Sequence, residues 1–148
     1  MDKIPQCLAW LAKNKNTKFL ILGRTKIKHK AAYLKNKLND RVIDLVDKTT
    51  PIEAMMILRK VKLIVSEDSG LLHMAWCVGT PSIGILGSTR NDWTNPKLPH
   101  TYFFNSSDMP CGDCMLEKCK FDEVKCLTRI KPQDVLREAE KLVNSTIS

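Results

Sequence analysis

One stretch of the sequence, residues 61–89, constrains the fold more than any other segment. It contains two short apolar runs, Leu63–Val65 and Ile83–Leu86. Runs of this kind predict strands buried on both faces of a parallel sheet. The segment between them carries its own helix signals, because Asp68 and Ser69 offer N-cap oxygens. The pattern therefore predicts a strand, a helix and a second parallel strand.

Two polar turns follow the two predicted strands. The first turn is 67–70, and the second is 87–89. The helix between the strands ends at Gly79, which is followed by Thr80 and Pro81. The carboxyl ends of parallel strands meet at one edge of a sheet, and open α/β sheets bind ligands there. The sequence therefore predicts a ligand site built from these two turns.

The first turn has the chemistry of an anion site. A helix that begins at Ser69 or Gly70 directs unpaired N–H groups and a partial positive charge out of the sheet. Gly70 has no Cβ to block a phosphate, and His73 lies one turn further along the same face. Asp68 is expected to face the hydroxyl groups attached to that phosphate. The alternative is that Asp68 and Ser69 only cap a helix and His73 is a half-buried histidine.

The residues 68–89, Asp-Ser-Gly-Leu-Leu-His-Met-Ala-Trp-Cys-Val-Gly-Thr-Pro-Ser-Ile-Gly-Ile-Leu-Gly-Ser-Thr, carry a resemblance. They resemble the Asp-(Ser/Thr)-Gly-x-x-His-x-Ala signature, with its later Pro and Gly-x-Thr, of the ADP-heptose:lipopolysaccharide heptosyltransferase family. The similarity extends over about residues 17–143. It departs from the family pattern at Trp76 and Leu86, which are apolar changes, and in length, because the family's N-terminal acceptor domain is not represented.

The resemblance implies a fold and a function. Members of this family have two Rossmann-like domains that face a cleft, the GT-B arrangement, and the signature belongs to the C-terminal, donor-binding half. The expected fold is thus α/β, a Rossmann-like parallel sheet with helices on both faces. The expected organisation is one domain over 1–148, with a core at 17–104, a Cys-rich loop at 105–128 and a C-terminal helix at 131–144.

The same resemblance implies a nucleotide-sugar donor, specifically an ADP-sugar, and a glycan or lipid-linked acceptor. No cofactor is expected to be required for transfer, because backbone amides and a lysine can bear the charge of the leaving diphosphate. The general base is expected in the N-terminal acceptor domain, so no catalytic residue is assigned here. Two alternatives stay open: half of a glycosyltransferase that works with a separate acceptor domain, or a nucleotide-binding or assembly module without transfer.

The first third of the chain supplies further candidates. A predicted helix at Ile4–Leu11 precedes a strand at 19–22, whose exit loop begins at Gly23 and leads into a lysine-rich helix. Family members contact the donor phosphates from this loop, which makes Lys28 the first candidate and Lys26 the second. The alternative is a solvated cationic helix start. Gly23 is expected to line the same edge, and Asp44, inside the next apolar run, is a candidate for the ribose.

Four cysteines form a separate cluster in the loop near the C-terminus. They are spaced Cys-x2-Cys-x4-Cys-x6-Cys, a density that predicts stabilisation by a crosslink or a metal. Three outcomes are open: a structural zinc or iron site, disulfides, or reduced thiols. Against zinc, the second pair lacks the two-residue spacing of a zinc ribbon. The four residues are Cys111, Cys114, Cys119 and Cys126.

Charge and hydropathy complete the prediction. The net charge is +8, and residues 1–60 hold 14 of the 24 Lys and Arg but 5 of the 16 Asp and Glu. Such asymmetry suits nucleotide diphosphates, anionic lipid headgroups or nucleic acid, although a merely solvated lysine surface is an equal alternative. No nucleic-acid-binding motif accompanies the charge, so nucleic acid is not an expected partner. No apolar run reaches the ~20 residues of a membrane span, and the first residues lack a signal peptide. A cytoplasmic protein with peripheral membrane contact is expected.

Overall fold

The computed structural model describes residues 16–145. The helix predicted at Ile4–Leu11 lies outside this range. The chain divides into two compact units, Met1–Ile57 and Leu58–Ser148, which are described separately here. The prediction of a single domain stays a prediction. Among the described residues, the helices are too short or too polar to cross a membrane.

The first unit pairs two parallel strands, with Phe19 opposite Val42 and Ile21 opposite Asp44. Its core includes Ala31 and Leu34 on the helix between the strands. The elements, in order, are β1 (Phe19–Ile21), a 3-10 turn (Thr25–Ile27), α1 (Lys28–Leu38), a second 3-10 turn (Asn39–Arg41), β2 (Val42–Asp44) and α2 (Pro51–Leu58), whose last residue belongs to the second unit.

Helix α2 begins with a cap formed by its own side chains. The Glu53 carboxylate accepts hydrogen bonds from the Thr50 N–H at 2.8 Å and the Thr50 hydroxyl at 2.8 Å, while the Thr50 hydroxyl accepts from the Glu53 N–H at 3.3 Å. This reciprocal pair is a capping box, and Pro51 occupies the first helical position. The hydrogen bonds from Thr50 hold the pKa of Glu53 below its usual value.

The second unit contains a three-stranded parallel sheet in the order β3-β4-β5. Parallel neighbours require crossover connections, and α3 supplies the one between β3 and β4. The elements, in order, are β3 (Ile64–Glu67), α3 (Gly70–Cys77), β4 (Ser82–Ile85), α4 (Asn91–Thr94), β5 (Thr101–Phe104), α5 (Lys125–Thr128) and α6 (Pro132–Ser145).

The core of the second unit lies between this sheet and α3. Leu72 of α3 packs with Leu86 and Phe103 in a buried cluster, joined by Ile64 and Trp76. The long α6 contacts β4 and buries Val135, Leu136 and Ala139, as its apolar stripe predicts. Layers of this kind, helices packed on a parallel sheet, define the α/β class.

One expectation about the strands is wrong. The apolar runs predict strands buried on both faces, and β4 has this character, with three of its four residues buried. In contrast, Val65 of β3 is 44% exposed, and Leu20 and Ile43 of the first unit are exposed as well. The reason in β3 is its position at the edge of the three-stranded sheet, beyond the strand that α6 contacts.

Candidate functional site

The two polar turns lie at the same edge of the second unit's sheet. β3 and β4 run parallel in register, with Ile64 opposite Ser82 and Glu67 opposite Ile85. Both strands therefore end together, and the turns at 67–70 and 87–89 follow them directly. This placement confirms the predicted relation between the two turns, and it puts the beginning of α3 at the edge where α/β sheets bind ligands.

Ser69 is the N-cap of α3. Its backbone is extended, with φ −160° and ψ 159°, and its hydroxyl accepts a hydrogen bond from the Leu72 N–H at 3.3 Å. A second hydroxyl, that of Ser66, lies 2.9 Å from the Ser69 Oγ. Because the Ser69 hydroxyl already satisfies one helical N–H, its role here is to fix the first turn.

The beginning of α3 is open toward solvent. A Cβ added at Gly70 would meet no atom within 4 Å. Among the hydrogen bonds of residues 16–145, none has the N–H of Gly70 or Leu71 as its donor. Two amides without an acceptor in the protein therefore stand at the positive end of the helix dipole, with open space at the Cβ position of Gly70. This is the arrangement that accepts a phosphate oxygen.

A carboxylate and an imidazole flank these amides. The Nε2 of His73 lies 3.2 Å from the Oδ1 of Asp68, and the His73 side chain is 52% exposed. The opposite side of the His73 ring is tilted against Trp76, with ring centroids 4.4 Å apart, and Trp76 is in turn 5.6 Å from the Phe103 ring. Trp76, a departure from the family signature, thus connects the histidine to the buried core. The alternative, a histidine that is partly buried and satisfied by its neighbours beside a simple helix cap, stays open, because half of the His73 side chain is covered and it contacts both Asp68 and Trp76.

The Cys-rich loop covers the second turn. The Gly87 carbonyl accepts from the Ser106 hydroxyl at 2.7 Å, and the Ser88 carbonyl accepts from the Met115 N–H at 2.8 Å. Ser106 is fully buried and also accepts from the Asp113 N–H at 3.1 Å. The contacts to Gly87 and Ser88 join residues about twenty or more positions apart, so sequence patterns give no signal for them.

Arg90 lies at the rim of the same turn. It forms a bidentate ion pair with Asp92, with Nη2–Oδ2 at 2.6 Å and Nε–Oδ1 at 3.0 Å, and its guanidinium carbon lies 4.5 Å from the centre of the Trp93 ring. The hydrogen bonds between them raise the pKa of Arg90 and lower the pKa of Asp92. The ion pair with Asp92 neutralises the charge of Arg90 and fixes the orientation of its guanidinium at the edge of the second turn.

The remaining candidates belong to the first unit. A Cβ at Gly23 would collide with the Ile27 side chain, and its φ of 157° is one that few other residues adopt. Asp44 accepts the Val46 N–H at 3.0 Å through Oδ1. Lys28 is the first residue of α1 and is exposed. The assignment of Gly23, Asp44 and Lys28 to the donor stays a prediction.

Asp47, which the sequence analysis does not single out, organises the loops of the first unit. Its carboxylate accepts from the Thr25 N–H at 3.0 Å and from the Thr25 hydroxyl at 2.7 Å. Its own N–H donates to the Gly23 carbonyl at 3.0 Å, and its φ is 59°. The only sequence signal is an aspartate after a strand, which tolerates this left-handed conformation better than most residues.

The four clustered cysteines do not converge on a metal-binding centre. Within residues 16–145, no three His, Cys, Asp or Glu side chains are grouped so that they could hold an ion, and the thiols there are free. Burial, followed by the nearby Cys119, raises the pKa of Cys126. As placed, the thiols are not grouped to hold zinc or iron, and the choice among a metal site, disulfides and reduced thiols stays a prediction.

Solved structures share this fold. An ADP-heptose lipopolysaccharide heptosyltransferase II from Escherichia coli matches with a TM-score of 0.78 and 20% identity, over 99% of this chain and 42% of that one. A family 9 glycosyl transferase from Veillonella parvula has the same TM-score of 0.78, with 14% identity. That match covers 97% of this chain and 41% of the Veillonella chain. The fold is therefore that of one half of a GT-B glycosyltransferase, as predicted.

The sequence itself defines the family. Residues 7–125 match glycosyltransferase family 9 (heptosyltransferase), and the chain belongs to that family. It is 26% identical over 108 residues to lipooligosaccharide heptosyltransferase 2 of Campylobacter jejuni, covering 73% of this chain and 34% of that protein. It is 24% identical over 101 residues to lipopolysaccharide heptosyltransferase 1 of Pseudomonas aeruginosa, covering 59% of this chain and 28% of that protein. The chain spans about a third of these curated relatives.

Proposed function

We propose that this chain is the donor-binding half of a heptosyltransferase-type glycosyltransferase and that it binds the diphosphate of an ADP-sugar at the beginning of α3. The observation that carries the proposal is the pair of free amides at Gly70 and Leu71, with open space in front of them. The family membership supports the reaction class, and the name of the E. coli relative supports an ADP-heptose-like donor.

The amides act on the leaving group. When the bond between the sugar and the diphosphate breaks, negative charge develops on the diphosphate oxygens, and fixed N–H dipoles stabilise it without reorganisation. Lys28, or Lys26, is proposed to add a mobile positive charge from the first unit. Because these groups are all part of the chain, the proposed step requires no divalent ion or other cofactor.

The flanking pair orients the donor. Asp68 accepts hydrogen bonds from sugar hydroxyls, and its contact with His73 at 3.2 Å fixes both side chains beside the amides. Asp44 and Gly23 are proposed to line the nucleoside end of the donor. Ser69 holds the turn through its cap. We assign the acceptor, a glycan or lipid-linked glycan, to a separate acceptor domain, together with the base that deprotonates it. The proposed site of action is the inner, cytoplasmic face of a membrane.

Calorimetry of the purified chain with ADP, UDP and GDP tests this proposal. We expect a single site for ADP. The dissociation constants for UDP and GDP should be at least about tenfold larger, which corresponds to a binding free energy weaker by about 1.4 kcal/mol. The control is AMP, which lacks the second phosphate and should bind more weakly than ADP. An absence of binding to all three diphosphates contradicts the proposal for this chain.

The second candidate function is a binding module without transfer, because the open amides at Gly70 and Leu71 could bind an ADP-sugar whether or not transfer follows. Mixing this chain with a separately produced acceptor half of a relative, an ADP-sugar and a lipid-linked acceptor separates the two. Sugar transfer that depends on both chains supports the enzyme half. ADP binding without transfer in that mixture supports the binding module.

A further inference from the structure

Helix α1 carries an unusual concentration of positive charge. Residues 24–38 contain six Lys and Arg and no Asp or Glu. Three of the lysines, Lys30, Lys35 and Lys37, are exposed on α1 together with Tyr33, and we refer to these four residues as the α1 lysine face. Tyr33 is 46% exposed. The opposite side of the helix, with Ala31 and Leu34, is buried in the first unit.

The geometry of the helix places these lysines along the two edges of its exposed side. Lys30 and Lys37 are seven residues apart, so they lie in one row about 10 Å long. Lys35 lies on the other flank of the exposed side, in line with Lys28. The Lys37 Nζ is 5.8 Å from the centre of the Tyr33 ring. The face therefore presents cations on both flanks and an aromatic ring between them.

Within the part of the chain that the structure describes, no acidic side chain pairs with this face. Among the ion pairs of residues 16–145, none includes Lys30, Lys35 or Lys37. The first turn of α1 has no acidic residue and no side-chain cap, although it contains Lys28, His29 and Lys30. Cations at the positive end of a helix dipole are unfavourable, and an external layer of negative charge would offset this cost.

We propose that the α1 lysine face docks on a membrane surface rich in anionic headgroups. Lysine-rich helices suit such a surface because their aliphatic stems lie along the interface while the ammonium groups reach the headgroups. A tyrosine ring is favoured at the same depth. Nucleic acid is the weaker alternative, since the face has no arginine to read base edges and its one aromatic ring is held by Lys37.

Sedimentation of the full chain with lipid vesicles tests this assignment. One vesicle contains equal parts of phosphatidylglycerol and phosphatidylcholine, and the other contains phosphatidylcholine alone. We expect binding to the first vesicle only, with loss of binding between about 0.1 M and about 0.5 M salt. The triple variant Lys30→Gln, Lys35→Gln, Lys37→Gln should weaken the partition coefficient at least about tenfold. Glutamine keeps the helix propensity of lysine, which circular dichroism checks.

A matched variant separates the face from net charge. Lys62→Gln, Lys118→Gln and Lys120→Gln remove the same charge from exposed positions of the second unit and should leave vesicle binding within about twofold. Changing the three α1 lysines to arginine should preserve binding. Three results overturn the proposal: no sedimentation with the anionic vesicles, equal weakening by both triple variants, or tighter binding of a single-stranded oligonucleotide through the same lysines. None of these outcomes depends on ADP binding, because no nucleotide is present.

Discussion

At the scale of single residues, Gly70 is the position on which the nucleotide site depends. Its added Cβ would enter open space, so the fold does not require a glycine there. Its φ is also not among the positive values found in this chain. Neither packing nor backbone strain demands a glycine at this position, and the proposed approach of a ligand to the backbone gives its missing side chain a reason.

The variant Gly70→Val tests this separation of binding from folding. A branched side chain in front of the free amides should weaken ADP binding at least about tenfold, measured by calorimetry, with a smaller loss for Gly70→Ala. The melting temperature should change by no more than about 2 °C, because the position is exposed and valine is no worse than glycine in a helix. Unchanged ADP affinity, or a large loss of stability, contradicts the assignment.

Cys126 is expected to be the slowest of the four loop cysteines to react. Burial and the neighbouring Cys119 raise its pKa, so its reactive thiolate forms only at higher pH. Alkylation by iodoacetamide, followed by mass spectrometry across a pH series, should show Cys126 lagging behind Cys111, Cys114 and Cys119, which are exposed. The alkylation rate of Cys126 should rise at a higher pH than the alkylation rate of a free thiol does. The prediction fails if Cys126 reacts as fast as its exposed neighbours.

Some residue-level features follow from sequence, and others do not. The caps at Ser69 and at Thr50 with Glu53 are predictable, because a cap is a contact between residues three positions apart. Asp47 with Thr25, and Ser106 with Gly87, are contacts across about twenty residues. Such contacts depend on how separate elements come together. A single sequence carries no local pattern for that.

At the scale of elements, the close packing of α3 on β4 and β5 holds the site in place. Gly84 of β4 lies under the Phe103 ring, where an added Cβ would come within 2.5 Å of the ring and 3.2 Å of Leu72. Leu72 belongs to the same helix whose first turn carries the free amides. The position of that first turn therefore depends on a core contact made two residues after Gly70 in the same turn.

The variant Gly84→Ala should destabilise the protein by about 1–3 kcal/mol, because a methyl group there forces a buried ring to move. Urea unfolding measures the loss. The matched control is Gly70→Ala, the same chemical change at a position with nothing within 4 Å, which should stay within about 0.5 kcal/mol of the original chain. Equal stability of the two variants would show that the packing described for Gly84 is wrong.

Element types and order are predictable here, while burial is less so. Each of β3, α3 and β4 appears where apolar runs, a cap and a terminating glycine place it, within about two residues. The exposure of Val65 is not predictable from an apolar run, because burial depends on the strand's position in the sheet. The Cys-rich loop shows the same limit, since spacing alone does not bring four thiols together.

At the scale of the whole molecule, charge and function are divided between the two units. The first unit carries the excess of lysine and the proposed membrane face on α1. The second unit carries the parallel sheet and the open beginning of α3. The family could be recognised from sequence because the signature around Asp68 and His73 combines a strand end, a cap and a glycine, each required by the anion site.

The central claim is that the amides at the beginning of α3 bind the diphosphate of the donor. Titration of the 15N-labelled chain with ADP, followed by the backbone amide signals, tests it most directly. We predict that the Gly70 and Leu71 signals move the furthest and saturate with the calorimetric affinity, while those of α6 stay in place. Saturable ADP binding that leaves the Gly70 and Leu71 amides unmoved would contradict the account.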